Sequence, residues 1–323
     1  AEHVIAVSSG TAALDILFHA LELPDERPVL IPSFAWPSAA NVALLHRLVP
    51  VFVDADPSTY NVALSSLGES LDEVTASTKA KPVVLPVHQF GLPCPMTEIR
   101  SLADRYDALL LEDAACALGA ECDGLSVGRF GTAGIFSFHP RKSITTGEGG
   151  AIVTADADLA RRCRAFRDHG RLHGYDFITA GLNYRLTEMQ AAIGQVQLTR
   201  LPAILKKRQA VAEQYCRLLA DCSGLTLPNL DRAHTWQTFM VLLDERLNRD
   251  NVIAGMRQGG IEVGIGSLAA HLLPQFRDGK YTRPLPVSER LFRHGLALPM
   301  HSLLTPQEVN TVACVLRETV SHV

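Results

Sequence analysis

Short apolar runs alternate with segments of helical periodicity over the first two-thirds of the chain. The runs at 29–32, 49–54, 82–87, 108–112, 133–138 and 151–154 are apolar almost throughout, the pattern of strands covered on both faces. Segments 11–21, 38–48, 96–106 and 159–169 between them repeat with helical spacing. The third has no capping-box acid, since Arg100 stands three residues after Thr97. This alternation predicts an α/β fold: a mainly parallel sheet, right-handed crossovers, and helices on both faces. From Thr187 to about Leu219 the pattern is one long helix, interrupted or kinked near Pro202. The remainder changes character, with strands expected at 235–243 and 261–265 and helices at 249–258, 287–295 and 306–320. A large domain over residues 1–200 is therefore expected. Residues 201–323 should continue the long helix into a smaller α+β C-terminal domain. Residues 1–7 run straight into Ser8-Ser9-Gly10-Thr11 without an entry element, so a missing N-terminal segment is also expected.

Composition narrows the function classes. The 323 residues are 47% apolar and 20% charged, enough for a large core. A net charge of −4, from 30 basic and 34 acidic residues without a single-sign run, argues against nucleic acid or a polybasic membrane anchor. It leaves small anionic ligands open. Seven cysteines without a C-x-x-C pair suggest neither a zinc knuckle nor a thioredoxin-like site. The odd count fits a reducing compartment, and no apolar run approaches the ~18 residues of a membrane span. Cytoplasm is expected. The dinucleotide, P-loop, H-E-x-x-H and G-x-S-x-G motifs are all missing. His169 and His173 are four apart, but Gly170 and Gly174 argue against a helix there, so no metal site is expected.

Four segments carry candidate chemistry. In Ser137-Phe138-His139-Pro140-Arg141-Lys142-Ser143 an apolar strand runs into a lysine, and Gly147-Glu148-Gly149-Gly150 leads to the next strand. Lysine forms Schiff bases, and partial desolvation keeps its amine neutral and reactive. Taken alone, Lys142 is equally well read as an exposed turn residue. Glu112-Asp113 ends a strand, where open α/β sheets place ligand groups. A carboxylate there would keep a pyridine nitrogen protonated; singly, Asp113 reads more readily as a helix cap. Ser9-Gly10-Thr11-Ala12-Ala13 opens a helix whose free N–H groups suit a phosphate, or is a plain cap. Trp36, directly after a strand, suits a planar cofactor, although core packing is the commoner fate of tryptophan.

In this order the four segments resemble the DegT/DnrJ/StrS family of sugar aminotransferases, fold-type-I pyridoxal-phosphate (PLP) enzymes of the aspartate-aminotransferase superfamily. Val51-Phe52-Val53-Asp54, Val87-His88-Gln89-Phe90-Gly91, Arg167-Asp168-His169-Gly170 and the stretch from Gly181 through Asn183-Tyr184-Arg185 to Ala192 extend the likeness over nearly the whole chain. The resemblance implies that Lys142 is the Schiff-base lysine and that Asp113 pairs with the pyridine nitrogen. It implies that Trp36 stacks on the ring and that Gly10, Thr11, Ala12 and Ser137 hold the phosphate. Asn183 would reach the phosphate of a neighbouring subunit in a homodimer with shared sites. His271, Tyr184 and Arg185 fall on the substrate side. Glutamate would be the donor and a keto sugar, linked to a nucleoside diphosphate, the acceptor, in a ping-pong reaction. Cyclitol or carbocyclic ketone aminotransferases and non-catalytic PLP-binding regulators share these residues; sugar dehydratases of the family carry histidine at the lysine position. Two departures stand out. Cys116 occupies a position where the family more often has Gln or His, and the family's N-terminal segment is expected to be missing.

Overall fold

Seven strands join in one sheet in the computed structural model, which describes residues 1–277 and 283–322. They are β1 (His3–Val7), β2 (Pro28–Pro32), β3 (Val49–Val53), β4 (Val83–Val84), β5 (Leu109–Asp113), β6 (Ala133–Ser137) and β7 (Gly150–Thr154). Their spatial order is β1-β7-β6-β5-β4-β2-β3. Strands β2 to β6 are mutually parallel, whereas β7 runs antiparallel to both β6 and β1. Alternation along β2 explains the two-sided cover. Val29 and Ile31 face a cluster with Leu14, Leu17 and Phe166, built by α1 (Gly10–Ala20), α2 (Ser38–Leu45) and α5 (Ala157–Arg167). Leu30 faces the opposite cluster with Leu67, Leu71 and Ile99 of α3 (Leu64–Ser77) and α4 (Met96–Arg105).

Beyond the sheet, α6 (Glu188–Leu219) leads to an antiparallel sheet of β8 (Leu225–Thr226), β9 (Phe239–Leu243) and β10 (Gly295–Leu298). Val211 and Tyr215 of α6, Met256 of α7 (Arg249–Gln258) and Val312 and Leu316 of α9 (Pro306–His322) pack on it in a separate core cluster. Helix α8 (Pro286–His294) precedes β10. Its first turn is held by Asp54, just past β3, which accepts from the Val287 and Ser288 N–H groups at 3.1 and 2.7 Å.

Several expectations are corrected. Helix α6 is continuous across Pro202, which lies on an exposed face where water can take the carbonyl that proline leaves without a partner. Residues 261–265 form no strand. Gly264 alone bridges Ala297, and Gly266 at φ 73° turns the chain away. The strand expected from residue 235 starts only at Phe239, because Thr235 and Gln237 donate their N–H groups to Gly91 and Phe90 instead. Helix α2 stops at Leu45, and Arg47 beyond it takes φ 56°. Strand β1 and helix α3 were not expected at all.

Candidate active site

The carboxylate pair ending β5 splits into two roles because adjacent strand residues face opposite ways. Glu112 is fully buried and accepts from the N–H groups of Gly128, Phe130 and Gly131 at 2.7, 2.6 and 3.0 Å. Its Oε2 also lies 3.3 Å from Nε2 of buried His88. Glu112 therefore organises a loop. Asp113, also buried, accepts through Oδ1 from the Ala115 N–H at 2.9 Å, and Oδ2 takes no hydrogen bond from the described residues. It is not a helix cap, since no helix starts there. Burial pushes the Asp113 carboxyl up, against the Ala115 N–H and the charges of Lys142 and His88.

Lys142 lies in the turn after β6, its N–H donating to the His139 carbonyl at 2.9 Å. Its Nζ is 3.0 Å from Cys116 Sγ. Burial pushes the ammonium down, but Cys116 and Asp113 outweigh it and the net shift is upward. Desolvation, which favours the neutral amine, is thus opposed by the groups around it. Next to it, the Ser143 hydroxyl is buried without a hydrogen-bond partner, a polar group that sequence reasoning passed over. The only signal for it was a hydroxyl adjoining the lysine.

Helix α1 begins against the ends of β6 and β7. Ser9 caps it, Oγ accepting from the Ala12 N–H at 3.0 Å. A Cβ on Gly10 would lie 2.9 Å from Ser137 Cβ, and one on Gly150 would lie 2.6 Å from the Ser9 carbonyl. These close approaches bring Thr11, Ala12 and Ser137 to the carboxyl end of β6. A helix N-terminus there, with two hydroxyls, is the donor set a phosphate requires.

Other expected site residues are placed differently. Trp36 is 68% exposed, so its ring is not part of the core. Asn183 is exposed on the segment before α6 and bridges Asp168. Arg185 pairs with the Asp168 carboxylate. Tyr184 turns inward, its hydroxyl donating to Asp15 Oδ2 at 2.8 Å. His271 is buried, with Nδ1 2.6 Å from Ser33 Oγ. No hydrogen bond joins these five to Lys142 among the described residues.

Known proteins share this chain's sequence pattern and its fold. The family model described as the DegT/DnrJ/EryC1/StrS aminotransferase family matches residues 1–317. The chain belongs to this family. It is thus an aminotransferase-family enzyme with the fold of PLP aminotransferases. A DegT DnrJ EryC1 StrS aminotransferase from Brucella abortus is 32% identical over 98% of this chain and 86% of its own, with a TM-score of 0.92. DesI, solved in the presence of its TDP-sugar product, is 32% identical over 99% of this chain and 81% of its own, with a TM-score of 0.89. NtdA from Bacillus subtilis, solved with bound cofactor PMP, is 27% identical over 99% of this chain and 73% of its own, with a TM-score of 0.89. The residues here fit such a cofactor. A buried carboxylate with a free oxygen, a lysine within reach of it and a helix N-terminus match a pyridine nitrogen, a carbonyl and a phosphate respectively. Among the described residues no cluster of His, Cys, Asp and Glu suits a metal ion, and no helix is long and apolar enough to cross a membrane.

Proposed function

We propose that this family member uses PLP to move an amino group from glutamate to a keto sugar carried on a nucleoside diphosphate. The grouping of Lys142, Asp113 and the start of α1 at the carboxyl ends of β5 and β6 carries the reading. DesI, with its TDP-sugar product, supports the acceptor class. The cofactor would supply a carbonyl for the amine and a cationic ring that draws off electrons. The protein's own part is orientation and proton handling. Asp113 Oδ2 holds the proton on the ring nitrogen, and the Thr11 and Ser137 hydroxyls with the α1 N–H groups fix the phosphate. Trp36 covers the ring face. Lys142 Nζ would be the amine that meets the cofactor's carbonyl, and would hold and return the proton that moves during transfer.

The same proposal places the enzyme in the cytoplasm, where its seven free thiols stay reduced. It also takes the two sheets as two domains meeting near residue 200, and the active form as a homodimer in which Asn183 serves the partner's site. The test is a visible spectrum with added PLP, before and after glutamate. A band that glutamate bleaches is expected in the wild type, and Lys142→Ala should abolish turnover. Full turnover in that variant would sink the assignment.

A further inference from the structure

Backbone and side-chain hydrogen bonds zip the segment carrying Trp36 to the segment around His271. The Ala270 N–H donates to the Ser33 carbonyl at 2.8 Å, and Phe34 bridges Ala269. Ser33 is fully buried and His271 is 8% exposed. Among the described residues the ring of His271 makes one hydrogen bond: Nδ1 lies 2.6 Å from Ser33 Oγ, while Nε2 is 3.7 Å from Glu289 Oε1 on α8, beyond hydrogen-bond reach. Burial pushes the imidazole down in pKa, against the charges of Glu289 and Asp54. Trp36, by contrast, is mostly exposed, so its orientation depends on the backbone of residues 33–35.

We infer that His271 is a positioning residue, which through Ser33 holds the backbone that aims Trp36 at the cofactor. This rests on the proposed role of Trp36. Removing either partner leaves the other buried without its hydrogen bond. The tether joins the end of β2 to the segment around His271, beside Glu289 of α8, a helix that Asp54 anchors to the end of β3.

The test uses the full chain with Ser33→Ala, His271→Ala and His271→Asn, the last keeping a hydrogen-bonding group near the Nδ1 position. Ser33→Ala and His271→Ala should each weaken PLP binding about tenfold, with the double variant no worse than either. At saturating PLP, the rate of bleaching by glutamate and the KM for the keto sugar should stay at wild-type values. His271→Asn should bind PLP within about twofold of wild type. Without PLP, amide exchange over residues 33–37 should speed up about tenfold in both alanine variants. Two results overturn the inference: a higher sugar KM or slower transfer in His271→Ala with Ser33→Ala unaffected, or unchanged exchange over 33–37 in Ser33→Ala. If the wild type takes up no PLP, the functional reading fails, while the exchange comparison still decides the tether.

Discussion

Asp15, one turn into the helix whose start is assigned to the phosphate, ties that helix to the segment bearing Asn183. Its Oδ2 accepts from the Tyr184 hydroxyl at 2.8 Å, and its Oδ1 lies 2.6 Å from His46 Nε2. The His46 hydrogen bond, helped by Tyr184 and opposed by burial, holds the Asp15 carboxyl below its ordinary 3.8. Tyr184 is correspondingly pushed up to about 12, by burial first and by Asp15 second. A depressed carboxyl binds fewer protons in the native state than in the unfolded chain. Its stabilisation is therefore complete above 3.8 and is lost as pH falls through the lower native value. Asp15→Asn should cost about 1 kcal/mol at neutral pH, after discounting for partial exposure. The gap between variant and wild type should close as pH drops below 3.8. Urea unfolding at neutral and acid pH measures both, and a gap that stays constant would remove Asp15 from this role.

At the scale of elements, the close approach of α1 to β7 makes glycine a requirement at one position and an indulgence at another. A Cβ on Gly150 would meet the Ser9 backbone at 2.6 Å, whereas one on Gly68 in α3 would meet nothing within 4 Å. Gly150→Ala should destabilise by about 1–3 kcal/mol and weaken PLP binding, because it pushes the phosphate end of α1 off the sheet. Gly68→Ala should stabilise by about 0.5–1 kcal/mol. Thermal melts separate the two, and equal effects would mean that the approach at Gly150 is not tight. The same elements show what periodicity carries. Buried strands such as β2 and β6 were legible because they are apolar nearly throughout, and helices α4 and α5 because their apolar residues recur at helical spacing between charged ones. Helix α3 was not. It buries Leu67, Leu71 and Val74 at helical spacing, but serines and a threonine dilute the pattern and bond back to carbonyls, as Ser70 does to Ser66 and Thr75 to Leu71. Motif order singled out Lys142 and Asp113 as the proposed cofactor residues. The contact of Lys142 with Cys116, the diversion of Glu112 into a loop and the burial of His271 depend on packing between distant segments, which no local pattern encodes.

At the scale of the whole molecule, the first half of α6 stands out for what it leaves uncovered. Its buried positions begin only at Ile204. Before that, Met189, Ile193 and Val196 are 79, 49 and 59% exposed at i, i+4 and i+7, one stripe of the helix. Tyr175, Phe177 and Leu182, in the segment leading to α6 and just before Asn183, add further exposed apolar surface. An apolar surface of this kind marks an interaction site more often than a free face. The proposed homodimer would cover this surface and would also explain Asn183, which is exposed and makes no hydrogen bond to its own Lys142 among the described residues. A two-fold contact along the stripe would put the same residues on both sides, so each substitution acts twice. Met189→Glu with Ile193→Glu should turn a dimer into a monomer in sedimentation, because four carboxylates would then be buried against apolar surface. If Asn183 serves the partner's phosphate, the same variant should also lose PLP more readily, while a variant charged on the opposite face of α6 should not. A dimer that survives both substitutions would move the interface elsewhere, and Asn183 would then have to be explained within its own subunit.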